Sequence, residues 1–218
     1  MMNKSLFVLW SIFCLTTIAV VSLTWWDPAA VTLSALNLVA AVTGMAYTLL
    51  AGRGRILCYA FGLINAPLYV YLSYRYRYYG DMALNAYYFV MMIPGLYCWR
   101  RHQAEDPAEG VIRTRLSARE RVVYLAAGAA ATAALWAALK WWGGNRPLCD
   151  ALTNVLSVAA MVLTVKRCRE QWLLWIVVDA IEVFMWWKVG ETSMALLAMW
   201  LLFLLNGLFF FWSWRNSS

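Results

Sequence analysis

The chain alternates between long apolar runs and short polar breaks. Eight runs stand out: Leu6–Leu23, Ala29–Ala51, Ile56–Tyr74, Met82–Trp99, Val122–Leu139, Ala151–Val165, Trp172–Trp187 and Thr192–Trp212. Each approaches the ~20 residues that a helix needs to cross a ~30 Å hydrocarbon core. None alternates as a barrel strand does, and a helix satisfies its own backbone in lipid without closing a barrel. Turn-like breaks separate the runs at Trp25-Trp26-Asp27-Pro28, Gly52-Arg53-Gly54-Arg55, Gly80-Asp81, Gly143-Gly144-Asn145-Arg146-Pro147 and Gly190-Glu191. The pattern predicts an all-α integral membrane protein with eight spans. The first run also resembles a signal peptide, with Lys4 before a short apolar stretch. The Trp-Trp-Asp-Pro that follows is a poor small-residue cleavage site, and removing the run would leave seven spans in the same orientation.

Composition supports this reading. Of 218 residues, 64% are hydrophobic and 13% charged, against about a quarter charged in a soluble domain. The longest polar stretch, Arg100 to Arg121, leaves no room for a separate soluble domain. The net charge of +7 sits at the ends of apolar runs and forms no basic arm, which argues against nucleic acid. With eight spans, Lys4, Arg53, Arg55, Arg100, Arg101, Arg113, Arg115, Arg119, Arg121, Lys166, Arg167, Arg169 and Arg215 fall on one side, thirteen in all. Arg75, Arg77, Lys140, Arg146 and Lys188 fall on the other. Basic residues favour the cytoplasmic side, so both termini are expected there. The five cysteines form no CxxC and His102 stands alone in a polar loop, so no metal site or cofactor is expected. No nucleophile stands with a base, so no enzyme is expected either.

Two stretches can be laid over each other. Asn37 and Asn154 each open a helix that ends in basic residues; Phe61-x-x-x-Asn65 matches Trp175-x-x-x-Asp179; Gly80-Asp81 matches Gly190-Glu191; Pro94-Gly95-Leu96-Tyr97 matches Asn206-Gly207-Leu208-Phe209. The division predicted is an added N-terminal helix over 1–28, a three-helix unit over 29–101, a loop and linker helix over 102–147, and a second three-helix unit over 148–218. Parallel repeats of this kind are one transporter plan, with substrate held between them near mid-membrane. Pro67, Pro94, Gly95 and Gly207 interrupt or loosen helices and are candidate hinges or packing kinks.

Ionisable residues within the spans are almost confined to Asp179 and Glu182. A charge there is costly and must face the bundle interior or water. Spacing puts Trp172, Trp175, Asp179, Glu182 and Trp186 on one helical stripe. Aromatic faces attract a cation and carboxylates supply countercharge, so the stripe suits a small cationic aromatic ligand. The alternative is belt tryptophans, with the acids paired to neighbouring basic side chains. Asn37, Asn65, Asn85, Asn154 and Asn206 hold amides that could bridge helices or touch a ligand. Ser157 shares a face with Asn154, and Tyr69 and Tyr88 share faces with Asn65 and Asn85, respectively.

The segment Asp150-Ala151-Leu152-Thr153-Asn154, then Ser157, Lys166-Arg167, Gln171-Trp172-Leu173-Leu174-Trp175-Ile176-Val177-Val178-Asp179 and Lys188-Val189-Gly190 resembles the nicotinamide riboside transporter (PnuC) family. The resemblance runs from about Ala29 to Arg215. It implies a SWEET-like 3+1+3 helix core, here with one extra N-terminal helix, often as a homotrimer. It also implies vitamin import by facilitated diffusion, with trapping by a cytoplasmic kinase that phosphorylates the cargo. Members of the family carry nicotinamide riboside, thiamine, riboflavin or deoxynucleosides. Nicotinamide riboside is the first expectation and thiamine the alternative; a proton-coupled carrier using Asp179 and Glu182 is the rival mechanism. Met161 stands where many riboside carriers have glutamine, and Glu182 is unusual.

Overall fold

The computed structural model describes residues 4–24, 26–104, 110–143, 146–188 and 194–215. They form eight α-helices: α1 (Lys4–Thr24), α2 (Val31–Gly52), α3 (Cys58–Arg75), α4 (Tyr79–Arg101), α5 (Ala118–Trp141), α6 (Pro147–Val165), α7 (Gln171–Trp187) and α8 (Met194–Arg215). A helix appears at each of the eight expected positions, with shifted ends. The predicted Gly190-Glu191 turn, the Val189-Gly190 pair and the Thr192 start of the last span lie outside the described residues.

Local chemistry explains the shifts. Asp27 caps a single 3-10 turn, Pro28–Ala30, by accepting from the Ala29 N–H, so α2 proper begins two residues late. Ser117 and Glu120 form a reciprocal capping box, with Ser117 Oγ accepting from the Glu120 N–H at 3.2 Å and Glu120 accepting from the Ser117 N–H at 2.8 Å. That box starts α5 four residues before its apolar run. Pro147 occupies the first turn of α6, where its missing N–H costs nothing, and starts that helix early.

Five helical stretches are long and apolar enough to cross a membrane by length and composition: Phe7–Thr24, Pro28–Gly52, Ala118–Trp141, Pro147–Val165 and Leu197–Arg215. Large apolar side chains point outward along the bundle, including Leu9, Ile93, Val122 and Leu125. A water-facing surface would not carry so many, and a lipid-facing one must. Exposed Trp141, Trp142 and Trp187 mark helix ends, where amphipathic rings favour the interface.

Six helices close a ring in chain order. α2 packs on α3, α3 on α4, α4 on α6, α6 on α7, α7 on α8, and α8 back on α2. Outside the ring, α1 covers the seam between α2 and α8, while α5 lies against α6 and buries none of its residues. The start of α1 and the end of α8 lie at one end of the bundle, beside the end of α2. There the Trp214 indole donates to Gly52 O at 2.7 Å, joining the ends of α8 and α2, and the Trp99 indole donates to Thr164 O at 2.9 Å, joining the ends of α4 and α6. At the far end, Asn37 donates to the Tyr76 hydroxyl at 3.1 Å and Arg146 donates to Met185 O at 3.1 Å.

A loop spans the termini end of the ring. The Val111 N–H donates to Gly54 O at 2.9 Å, the Thr114 N–H to Arg167 O at 3.0 Å, and the Arg169 N–H to Thr114 O at 3.0 Å. The Arg113 guanidinium lies 4.9 Å from the Trp214 ring centroid. Gly110 has φ +79°, and a Cβ there would strike Arg53 O at 2.6 Å, so the close crossing requires glycine.

Candidate functional site

A cavity of about 460 Å³ lies inside the ring, within the ~300–1,000 Å³ usual for small-molecule sites. All six ring helices contribute to its wall, and α1 and α5 contribute nothing.

Helix α7 supplies the predicted stripe. Its residues recur every three or four positions, so they stack on the face turned inward. Trp172, Trp175, Asp179 and Glu182 all line the cavity; the Trp186 side chain lies outside the described residues. Asp179 is 5% exposed. Its Oδ2 lies 3.8 Å from where a Cβ on Gly207 would sit, and that Cβ would also meet Ile176 at 3.0 Å. Glycine at 207 therefore lets α8 approach α7 beside the carboxylate. Trp172 is buried, packed against Phe210 at 5.2 Å and Trp214 at 5.9 Å between centroids, and forms part of the cavity's termini end.

The opposite wall comes from α4 and α6. Tyr88 meets Trp175 edge to face, with 6.2 Å between centroids. Its hydroxyl is hydrogen-bonded with Ser157, which is 3% exposed. Tyr87 donates to Val158 O at 3.1 Å and fixes the same α4–α6 seam. Two aromatic rings from facing helices thus flank one volume, with Asp179 one turn farther along.

The amides divide by role. Asn154 and Asn85 each donate to the carbonyl four residues earlier, at 2.8 Å, leaving their carbonyl oxygens as acceptors on the cavity wall. Asn65 also lines the wall, but its amide nitrogen donates to Ala40 O at 2.6 Å and Thr43 Oγ1 at 3.2 Å, which ties α3 to α2. Tyr69, one turn on, lines the same wall. Asn37 lines the far end while holding Tyr76. Asn206 takes the helix-bridging role. It is fully buried away from the cavity, accepting from the Trp10 indole at 2.8 Å and donating to Leu202 O at 2.9 Å. Its partner belongs to α1, so it bridges helices and does not face a ligand. Gly95, beside Pro94 in α4, is packed under the Tyr59 ring.

Three wall residues were not among the site candidates, Asp81 near the far end and Tyr47 and Gln171 near the termini end, and Met161, noted above against the family's glutamine, also lines the wall from α6. No lysine or arginine lies among the described residues of the wall. The acidic side chains of the cavity wall are Asp81, Asp179 and Glu182.

Residues 34–216 match the family model described as nicotinamide mononucleotide transporter. The chain belongs to that family. Curated relatives carry the name nicotinamide riboside transporter PnuC. The protein of Neisseria mucosa is 38% identical over 186 residues, covering 82% of this chain and 71% of the relative. That of Haemophilus influenzae is 31% identical over 183 residues, covering 83% and 79%. The solved structure described as the vitamin B3 transporter PnuC superposes with a TM-score of 0.81 at 34% identity, covering 99% of this chain and 93% of that one. This PnuC-family chain is a multi-pass membrane transporter. The family model begins in α2, whereas the structural match extends over α1 as well.

Proposed function

We propose that this protein imports nicotinamide riboside across the bacterial inner membrane by facilitated diffusion, both termini being cytoplasmic. The observation that carries the substrate class is the cavity's charge. Trp175 and Tyr88 flank a space next to Asp179, and no basic residue lines it among those described. A pyridinium ring is a permanent cation, so ring faces and carboxylate attract it together. The ribose hydroxyls find acceptors in Glu182 and in the carbonyl oxygens of Asn154 and Asn85.

The same lining separates two substrates, the riboside named in the relatives and the mononucleotide named in the family model. A mononucleotide adds a phosphate of about −1.5 to −2 charge at neutral pH. In this cavity that charge would meet acidic side chains, with no lysine or arginine among the described residues of the wall. The riboside is the better fit. Phosphorylation of the cargo by a cytoplasmic kinase would then prevent its return by the same route, which makes a passive carrier accumulate vitamin. In this reading α2–α4 and α6–α8 are the two repeats of a SWEET-like 3+1+3 core, α5 links them, α1 is an addition, and the assembly is a homotrimer.

Thiamine, also a permanent cation, is the second substrate, because the apolar Met161 wall makes no demand for a riboside. Calorimetric titration of the purified protein with nicotinamide riboside, nicotinamide mononucleotide, thiamine and a neutral deoxynucleoside tests the reading. The riboside should bind tightest and the mononucleotide at least about 100-fold more weakly, a difference of about 2.7 kcal/mol. Equal binding of riboside and mononucleotide would overturn it.

A further inference from the structure

Residues 110–116, between α4 and α5, cross the termini end of the ring. In the order of the helices round the ring, the α2–α3 turn and the α6–α7 turn stand opposite each other. The loop reaches both. Its first part belongs to the α2–α4 half. The Val111 N–H donates to Gly54 O at 2.9 Å, the Ile112 N–H to His102 O at 2.8 Å, and Gly110 O accepts from the Ala104 N–H at 2.9 Å. Its second part clasps residues 166–170 of the α6–α8 half. Thr114 forms a two-way backbone pair, donating to Arg167 O and accepting from the Arg169 N–H, each at 3.0 Å. The Thr114 hydroxyl donates to Lys166 O at 2.8 Å, the Arg167 guanidinium to Ile112 O at 2.9 Å, and the Leu116 N–H to the Glu170 carboxylate at 3.2 Å.

Three features bear on what this crossing does. Val111 is 3% exposed and belongs to one buried cluster with Trp99, Trp172 and Trp214, which come from three different helices, so it closes the mouth above them. Arg167 holds φ +62°, a costly conformation for a residue with a side chain. Its carbonyl and its guanidinium are both bonded to the loop, so the clasp holds that turn in its strained form. Chain length sets the third constraint. An extended chain spans at most ~3.6 Å per residue, and Val111 to Leu116 is a short tether between the halves. While Thr114 stays paired with the α6–α7 turn, that tether cannot extend.

We propose that residues 110–116 form a latch on the termini end of the cavity, which opens there when Thr114 leaves the α6–α7 turn. Release frees the chain between Val111 and Leu116 to straighten and lets Val111 rise from the tryptophan cluster. Water then reaches the ends of α2 and α6, where Ala51 and Thr164 line the cavity and are buried in the latched state.

The test locks and weakens the clasp in the full-length protein. Thr114→Cys places a thiol where the Thr114 hydroxyl now lies 3.2 Å from the Cys168 sulfur, so diamide can join the two and a reductant can part them. Amide hydrogen exchange of residues 49–52 and 161–165 is followed by mass spectrometry on ligand-free protein. Oxidised, both helix ends should exchange at least about fivefold more slowly than after reduction. Liposomes should take up labelled nicotinamide riboside at least about tenfold more slowly in the oxidised state and recover on reduction. Thr114→Val deletes the bond to Lys166 and should speed exchange at both helix ends about three- to tenfold, the scale of one hydrogen bond, so it decides the matter without oxidation. Unchanged exchange at the helix ends, changes confined to 110–116 and 166–170, or riboside uptake as fast oxidised as reduced would overturn the latch. The uptake arm alone rests on the proposed substrate: a parent that carries no riboside would sink that reading, while the exchange rates still decide the latch.

Discussion

Replacing Asp179 by asparagine removes one charge and little volume, so it isolates electrostatics from packing. The carboxylate is 5% exposed, on a wall with no basic residue among those described. At a contact distance of about 5 Å and an effective dielectric of about 20, a cation and a carboxylate attract by about 3 kcal/mol. Asparagine keeps a dipole and recovers part of that, leaving a loss of about 2 kcal/mol, or roughly 30-fold in affinity. A neutral deoxynucleoside of similar size should lose less than about threefold, because it has no charge to be countered. The ligand-free Asp179→Asn protein should melt higher than the parent, since a buried carboxylate is expensive within a membrane. Calorimetry with both ligands and a thermal melt give all three values. Equal loss for cation and neutral ligand, together with a lower melting temperature, would refute the reasoning and make the aspartate structural.

Other outcomes follow from the same geometry. Trp175→Phe should retain most affinity for the cation and Trp175→Leu should lose about 1–2 kcal/mol of it, because leucine keeps apolar area but no ring face; unchanged binding in titrations of Trp175→Leu would remove the residue from the site. Trp10→Phe should lower stability by about 1 kcal/mol by leaving Asn206 without its indole donor, with ligand affinity preserved; a matching loss of affinity in the same titration would tie α1 to the site. Reporter fusions after Arg115 and after Arg146 should fall on opposite sides of the membrane, and both on one side would overturn the eight-span topology.

How far the sequence reached depends on the kind of signal. Eight helices were legible because each apolar run is long and the breaks carry glycine, proline or charge. Their ends were less so: α5 starts at the Ser117–Glu120 box and α6 at Pro147, short polar signals that a hydropathy reading passes over. The α7 stripe was legible because ionisable residues in a span are rare enough to be conspicuous. Gln171 and Tyr47 were not, since a glutamine at a helix start looks like loop and a tyrosine in a span looks like belt. For Asn206 the sequence left bridging and ligand contact both open. Its partner Trp10 is 196 residues away on a helix outside the ring, and no local pattern announces that contact.

The central claim is a passive carrier whose acidic cavity accepts the riboside and refuses the phosphate. Purified protein in liposomes, with no ion or pH gradient, should equilibrate labelled nicotinamide riboside across the membrane. Labelled mononucleotide should stay outside, and an imposed pH gradient should leave riboside uptake unchanged. Entry of the mononucleotide at a comparable rate, or riboside uptake that requires the proton gradient, would contradict the account.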